Sequence, residues 1–231
     1  ECPNKKETGT YIQFIPDPEV YNLEPIKVDF DVLCARCKNL SYLTKGLTFE
    51  LYGPDKQHVV YCAKNGLLDL IKDNADKAIH AMPAYHIIKE GNVECEIALM
   101  WTKGKEKSFT FTNGLCQSEG GTSLTGVKTA ITNFVKKQFK GEFDGDLARA
   151  GLVYAVSCKV PNPSFANQTK TKVNNPELRG LCQRATNQML EEFEYRHGDE
   201  FQRILDLLTK ELKAEAAAER ARKQVLEAVK D

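Results

Sequence analysis

Two spacings of apolar residues alternate along the chain, and each spacing predicts its own kind of element. Thr8–Asp17 groups its apolar residues around one glutamine and stops at two prolines, which predicts a strand followed by a turn. From Val28 to Leu43 apolar residues recur every three or four positions, as on one side of a helix. The runs GLTFELYGPD and HVVYC then predict two strands, and NGLLDLIKDNADKAI predicts an amphipathic helix.

The middle of the chain is rich in predicted strands. In NVECEIALMW every second residue is apolar while the two glutamates fall on the opposite side, a pattern typical of a half-buried antiparallel strand. TKGKEK then turns the chain, so SFTFTN is expected to return as the hairpin partner of that strand. GLVYAVSCKV is apolar and nearly continuous, which predicts a central strand.

Three helices are predicted in the second half. The apolar side of the first is formed by Val127, Ala130, Ile131, Phe134 and Val135. Thr122 or Ser123 is its expected N-cap, and the second helix begins at Pro176 and ends near RHGDE. The third loses its apolar side as it enters AEAAAERARKQ, so we expect it to project from the body or to join a following domain. The sequence therefore predicts an α+β fold, with a mostly antiparallel sheet, helices on one face and a long C-terminal helix.

Length and charge narrow the classes of protein. The chain has 231 residues with 42% hydrophobic content, enough for one large domain or one domain with attachments. The 32 basic and 32 acidic residues give no net charge, so any nucleic-acid contact must be local. The sequence has neither a run of about 18 apolar residues nor a basic-then-apolar leader, which indicates a soluble, cytoplasmic protein without membrane contact. Because it begins at Glu1, we expect a piece of a longer chain or a processed product.

The eight cysteines are expected to be reduced. An even number permits a disulfide framework, but a chain of this size with an ordinary core needs none. The one close pair, Cys34 and Cys37 in CARC, has no second Cys or His pair to complete a four-ligand zinc site. Cys95 and Cys158 occupy positions where small apolar residues belong. We therefore predict buried thiols, a reducing compartment and no metal site.

No catalytic residue is predicted. The four histidines are scattered, and none stands at a catalytic spacing from a cysteine, serine or glutamate. The nucleophile-elbow, zinc-protease and Walker motifs are absent from the sequence. The run EGGT, Glu119 to Thr122, could hold an anion ahead of a helix, although a strand-to-helix turn explains its two glycines more simply.

A polar loop, FANQTKTKVNN at Phe165–Asn175, is the strongest candidate for a binding function. It follows the predicted central strand, so its base is expected to be rigid while its tip can move. A lysine is a compact charge on a flexible stem and is well suited to reach a phosphate. The alternative is an ordinary solvated surface loop.

Two longer runs carry a family resemblance. SEGGTSLTGVKTAITNFV and GLVYAVSCKVPNPSFANQTKTKVNNPELRG closely resemble the transducer domain of the type IIA topoisomerase ATPase subunit, above all that of DNA gyrase B and its topoisomerase IV counterpart. Three upstream runs agree in order with the family's lead-in strand, first helix and sheet: TGTYIQFIPDPEVY, CARCKNLSYLTKGLTFEL and VECEIALMW. The resemblance extends from about Thr8 to Asp231.

The resemblance implies a left-handed βαβ fold, which this family shares with a ribosomal protein domain and with other GHKL ATPases. It divides the chain into a lead-in strand from the edge of a missing ATP-binding domain (residues 1–17), the transducer domain (18–197) and a long helix leading towards the DNA-cleaving parts (198–231). In this family the polar loop reaches into the upstream domain, where a glutamine and a lysine contact the terminal phosphate of ATP. The matching residues are Gln168 and Lys170.

The resemblance also implies cofactors and partners. The segment would sense ATP bound by the upstream GHKL domain and couple its hydrolysis to passage of duplex DNA, and Mg²⁺ would be needed by the intact enzyme rather than by this segment. The expected partners are that domain, a gyrase-A-like DNA-cleaving subunit, duplex DNA in the nucleoid and a second copy in a homodimer. Lys128, Lys136 and Lys137 are weaker candidates for contacting DNA.

The chain departs from the family pattern at several positions. Ser123 stands where a histidine is usual after Gly-Gly-Thr, and Asn133 stands at a common arginine position. Residues 146–152 lack one acid and the glutamate of the usual pattern before the central strand. The Glu/Asn helix, the DxGxG turn and the glycine-rich lid of the ATPase domain are absent from the sequence, so the segment alone is not expected to be catalytic. The alternative function is a free-standing nucleic-acid-binding or topoisomerase-interacting module on the same fold.

Overall fold

The computed structural model of the chain describes residues 8–13, 15, 17–21, 28–53, 56–139 and 145–228. Its helices are α1 (Pro18–Tyr21), α2 (Phe30–Leu43), α3 (Leu67–Asn74), α4 (Thr122–Gln138), α5 (Pro176–Arg196) and α6 (Gly198–Ala228). Its strands are β1 (Phe49–Tyr52), β2 (His58–Tyr61), β3 (Ala84–Glu90), β4 (Val93–Trp101), β5 (Lys107–Thr112), β6 (Leu115–Cys116) and β7 (Leu152–Lys159).

The centre of the molecule is a five-stranded mixed sheet in the order β3-β4-β7-β5-β6, and β1 and β2 form a separate antiparallel pair. β7 lies between β4, which is antiparallel to it, and β5, which is parallel to it. The chain passes from β5 through β6 and α4 before it returns as β7, so these elements form a β-α-β unit. Residues 152–156 of β7 are all buried, which confirms the predicted central strand.

The predicted hairpin between β4 and β5 is wrong. The hairpin partner of β4 is β3, which the sequence analysis did not identify, and a two-residue turn at Gly91 and Asn92 joins them. On its other side β4 pairs with β7 along its length, to Trp101 opposite Leu152. A local hairpin would have placed β4 and β5 side by side. Instead β7, which is the more continuously apolar strand, lies in the central position between them.

Helices cover both faces of the sheet. The three long helices α4, α5 and α6 lie on one face, as predicted, where they enclose Trp101 and Tyr154. In addition, α3 and Tyr42 of α2 pack against the opposite face, over Ala98 and Met100 of β4. From residue 97 onward β4 is therefore buried on both sides, and not half-buried as its alternating pattern predicted. The residues of its second face at this end are apolar, so a helix can pack there.

The predicted strand at Thr8–Asp17 is not present among its described residues. Tyr11, Ile12 and Ile15 are exposed there, and the four-residue helix α1 follows. A strand needs a neighbouring strand for its backbone hydrogen bonds. The two sheets of the described part of the chain do not include this segment, so its apolar residues have no sheet to pack on.

The last two helices follow one another with only His197 between them. The N–H of His197 donates to the C=O of Phe193 at 2.8 Å, and its own C=O accepts from Phe201 at 2.8 Å, so helical bonding continues on both sides of the junction. The first turns of α6 bury Phe201, Ile204 and Leu208, which confirms the predicted apolar stripe. None of the described helices is long and apolar enough to cross a membrane.

Candidate functional site

The polar loop folds back on itself between β7 and α5. Phe165 and Val173 form an antiparallel bridge across it. The buried side chain of Asn175 accepts from the N–H of Ser164 at 2.7 Å and donates to the C=O of Asn162 at 3.1 Å. These bonds fix the base of the loop, as the sequence predicted.

The loop is also joined to the turn that precedes α4. Val173 donates its N–H to the C=O of Gly120 at 3.2 Å and accepts from the N–H of Thr122 at 3.1 Å. Gly121 lies between them with φ +123°, and a Cβ there would come within 2.0 Å of the Val173 carbonyl oxygen. Only glycine permits this approach. The N-cap of α4 is therefore Gly121, not Thr122 or Ser123 as predicted, and these two residues begin the helix itself.

Three side chains brace the loop tip. The Oδ1 of Asn167 accepts from the N–H of Thr171 at 3.1 Å, and its Nδ2 donates to the Thr171 hydroxyl at 2.7 Å. The Glu119 carboxylate accepts from the same Nδ2 at 3.1 Å and from the Thr171 hydroxyl. The N–H of Glu119 donates to the C=O of Thr171 at 3.0 Å. Sequence reasoning missed this bracing, although an asparagine that begins a turn was an available signal.

Both residues predicted to contact a phosphate lie exposed at the loop tip. Lys170 has a left-handed backbone, with φ +57°, and its N–H donates to the C=O of Asn167 at 3.2 Å. Its ammonium lies 5.9 Å from the centre of the Phe165 ring, a weak cation–π contact. Within the described part of the chain, the side chains of Gln168 and Lys170 form no hydrogen bond or ion pair, so both are available to a ligand.

The three lysines predicted to contact DNA do not form one patch. Lys128 pairs with Glu106 at 3.4 Å. Lys136 and Lys137 lie in the last turn of α4, where positive charge is favourable at the carbonyl end of a helix. At about 100° per residue, Lys136 lies about 80° and Lys137 about 180° around the helix from Lys128. α4 therefore directs the three side chains to different sides.

Glu106 lies at the centre of a charged cluster beside α4. Its carboxylate accepts from Nε of Arg149 at 3.1 Å and from the Tyr154 hydroxyl at 2.6 Å. Arg149 is buried and also pairs with Asp146. Burial, and then the hydrogen bond to Glu106, raise the pKa of Tyr154, so its hydroxyl stays a donor. Arg149 lies in the stretch 146–152 that departs from the family pattern, and the ion pairs of its buried side chain indicate a structural role.

The cysteines that the structure describes are all free, and Cys2 lies outside the described residues. The prediction of buried thiols holds for some of them, whereas Cys62 and Cys116 are exposed. Three buried thiols come together as a cluster, which we call the thiol cluster: Cys95, Cys158 and Cys182. Among the described residues, this is the only group of three or more His, Cys, Asp or Glu side chains whose potential ligand atoms lie close enough together to hold a metal ion. Sequence reasoning placed two of them separately and did not bring the three together.

Comparisons with known proteins give consistent results. The family model for DNA gyrase B matches residues 63–224. The chain is 31% identical over 229 residues to the DNA gyrase B protein of Bacillus mycoides, a match that covers 93% of the chain and 56% of that relative. It is 31% identical over 234 residues to the chloroplastic/mitochondrial DNA gyrase B protein of Oryza sativa subsp. japonica, covering 94% of the chain and 32% of that relative. The chain thus spans between about a third and just over half of these relatives' lengths.

A solved structure with a similar fold is the 43K ATPase domain of Thermus thermophilus gyrase B, in complex with an aminocoumarin. Its TM-score is 0.72 at 27% sequence identity, and the match covers 90% of the chain and 58% of that structure. The topoisomerase IV ATP-binding domain of Francisella tularensis has the same fold, with a TM-score of 0.70 at 22% identity over 85% of the chain and 57% of that structure.

Proposed function

Because the chain belongs to the DNA gyrase B family, we propose that it forms the transducer region of an ATP-dependent type IIA topoisomerase. In this proposal, residues 1–17 lead in from a GHKL ATPase domain, residues 18–197 form the transducer, and residues 198–231 run towards the DNA-cleaving parts. The region works in the cytoplasm with that domain, a gyrase-A-like subunit, duplex DNA and a second copy of itself. It is not itself the catalyst.

The observation that carries this proposal is an exposed polar pair on a braced loop. Gln168 and Lys170 lie together at the tip, while Asn167, Thr171 and Glu119 hold the backbone beneath them. An amide donor beside an ammonium suits the oxygen atoms of one phosphoryl group. A loop with only a solubilising role would not need its tip to be held by side-chain hydrogen bonds.

We propose that the phosphoryl group is the terminal phosphate of ATP held by the upstream domain. While that phosphate is attached, its contact with Lys170 favours one relative orientation of the two domains. When the phosphate leaves, the contact is lost and the orientation is released. A contact of this kind contributes about 2–4 kcal/mol when it is partly buried between domains, which is enough to bias a hinge. Mg²⁺ belongs to the ATP-binding domain in this proposal.

The connections of the loop supply a route for the movement. Val173 is hydrogen-bonded to both sides of Gly121 at the start of α4, and Asn175 is the N-cap residue of α5. A force on the loop tip therefore reaches the first turns of two helices that pack on one another and on the sheet. Because side chains and backbone are closely packed there, the helices respond as bodies rather than by local bending.

The proposal is tested by Lys170→Ala in the complete subunit that includes an ATP-binding domain. We expect the rate of ATP hydrolysis to fall by about 30- to 1,000-fold, the equivalent of about 2–4 kcal/mol. The measurement is steady-state ATPase activity with DNA present, together with circular dichroism to show that the fold is intact.

Lys172→Ala is the matched control, because Lys172 is an exposed lysine of the same loop that lies off its tip. We expect it to retain activity within about twofold of the unsubstituted enzyme. An unchanged rate in Lys170→Ala would contradict the proposal, and an equal loss in both variants would show that only the charge of the loop matters.

A further inference from the structure

Three cysteine thiols converge in the core between the sheet and α5. Cys95 of β4 and Cys158 of β7 stand directly opposite one another in the antiparallel register. The Sγ of Cys182 on α5 lies 3.5 Å from the Sγ of each, and all three sulfur atoms lie within 4.8 Å of one another. All three residues are 0% exposed.

The number and spacing of the sulfur atoms that the structure describes do not fit the common metal sites. Structural Zn²⁺ is tetrahedral with four ligands, and an iron–sulfur cluster needs four as well. Among the described residues no fourth side chain completes the thiol cluster. In a planar three-coordinate site with bonds of about 2.3 Å the sulfur atoms would be about 4 Å apart, whereas two of the pairs here are 3.5 Å apart. Sulfur atoms this close suit an ion that sits outside their plane, at the apex of a pyramid.

The charge of the site then selects among soft ions. Thiolates prefer soft ions, but a net charge buried among apolar residues is costly. Three thiolates would leave two negative charges around monovalent copper and one around a divalent ion. A trivalent ion with a lone pair leaves none, and it is pyramidal. We therefore propose that Cys95, Cys158 and Cys182 form a binding site for a trivalent thiophilic metalloid, arsenic(III) or antimony(III), whatever the function of the polar loop.

Binding exchanges oxygen for sulfur without any change of oxidation state. For arsenous acid, three As–O bonds break and three As–S bonds form, and the three thiol protons leave with the three hydroxide groups as water. The three sulfur atoms lie within 4.8 Å of one another, so one arsenic atom can contact all three.

The position of the thiol cluster determines how the ion enters and how its binding changes thermal stability. Since the sulfur atoms are 0% exposed, the ion can enter only when α5 moves away from the sheet, so we expect binding to be slow and limited by local opening. Once bound, the ion links β4, β7 and α5. It therefore raises the thermal midpoint of unfolding, because the folded chain holds the three thiols together and binds the ion more tightly than the unfolded chain does.

The experiment uses the purified chain, reduced with a phosphine so that no small thiol competes for arsenic. It is incubated with sodium arsenite and measured by native mass spectrometry. We expect one arsenic atom per chain with the loss of three protons, together with a higher thermal midpoint. X-ray absorption at the arsenic edge should show three sulfur neighbours and no oxygen, and zinc ions under the same conditions should leave the mass unchanged.

Cys182→Ala removes one ligand, and we expect the adduct to be lost. The matched controls are Cys62→Ala with Cys116→Ala, which removes the two exposed thiols, and Cys34→Ala with Cys37→Ala, which removes the close pair; both should bind arsenic as before. If Cys182→Ala does not fold, the absorption spectrum of the unsubstituted chain decides. An oxygen neighbour or only two sulfur neighbours overturns the proposal, as does an adduct that persists in folded Cys182→Ala, or no adduct on the folded chain.

Discussion

At position 170 a lysine adopts a backbone conformation that glycine would adopt more easily. A φ of +57° costs a residue with a side chain about 1–2 kcal/mol. Such a residue persists only where the surrounding structure holds it, and here Asn167 and Thr171 form the turn around it. The strain therefore coincides with the side chain that we propose to bind phosphate, and that side chain is exposed.

A second individual residue, beside the C-terminal end of β4, makes stability depend on pH. His80 is buried, and its Nε2 accepts from the N–H of Trp101 at 2.9 Å. Nδ1 must then carry the proton, which it donates to the C=O of Met82 at 2.8 Å. The ring is thus held as the neutral tautomer, and burial lowers its pKa.

We predict that this histidine destabilises the fold in acid. The unfolded chain binds a proton near pH 6.5, while the folded chain resists it until a lower pH, so stability is complete above about pH 6.5 and falls below it. The slope for one proton is at most about 1.4 kcal/mol per pH unit. Urea midpoints measured at pH 8 and pH 5.5 should differ less in His80→Gln than in the unsubstituted chain. His58→Gln, at an exposed position, should retain the full difference, and equal differences in all three proteins would contradict the assignment.

At the scale of elements, the sequence predicted whether a segment is a helix or a strand better than it predicted which elements lie side by side. The stripes of α4 and α6 and the apolar run of β7 are local patterns, and the structure has them. The β4–β5 hairpin failed because strand pairing depends on which distant strand fits beside β4, and this is not encoded in the six residues of the turn. The loop position was predicted, but its bracing by Glu119, 48 and 52 residues away from its partners, required the tertiary structure.

The contact between the loop and α4 leads to a prediction for Gly121→Ala. The added Cβ would meet the Val173 carbonyl oxygen, and φ is positive as well. We expect the free energy of unfolding to fall by about 3 kcal/mol or more, because strain and a backbone clash act together. The measurement is urea denaturation.

Gly114→Ala separates these two causes. Gly114 also has positive φ, at +78°, but a Cβ there meets nothing within 4 Å. We expect its cost to be about 1 kcal/mol, from conformational strain alone. Similar losses in the two variants would show that the loop-to-helix contact is loose enough to yield.

On the scale of the whole molecule, both faces of the central strands are used for packing between the molecule's own elements. Trp101 and Tyr154 lie under the long helices and Met100 lies under α3. The groups left available to a ligand at the candidate site are two polar side chains on one loop. Such a surface is consistent with the proposed contact to a phosphate held elsewhere, and it offers little to a nucleotide in solution.

We therefore predict that the 231-residue chain by itself hydrolyses no ATP and binds it with a dissociation constant above about 1 mM, because contacts to one phosphoryl group supply less than about 4 kcal/mol. Isothermal titration calorimetry and a phosphate-release assay on the purified chain measure both quantities. Lys170→Ala should be indistinguishable from the unsubstituted chain in these two assays. Micromolar binding or measurable turnover would mean that the chain has a nucleotide site of its own.

The 31 residues of α6 form a continuous helix about 46 Å long at 1.5 Å per residue. Its first turns are held against the core by Phe201, Ile204 and Leu208, which are buried. A tilt of about 10° at these first turns moves the far end of a straight helix of this length by about 8 Å. Rearrangements of ångström size beside His197 are therefore amplified into displacements of the far end of α6 that are comparable with the width of a DNA groove.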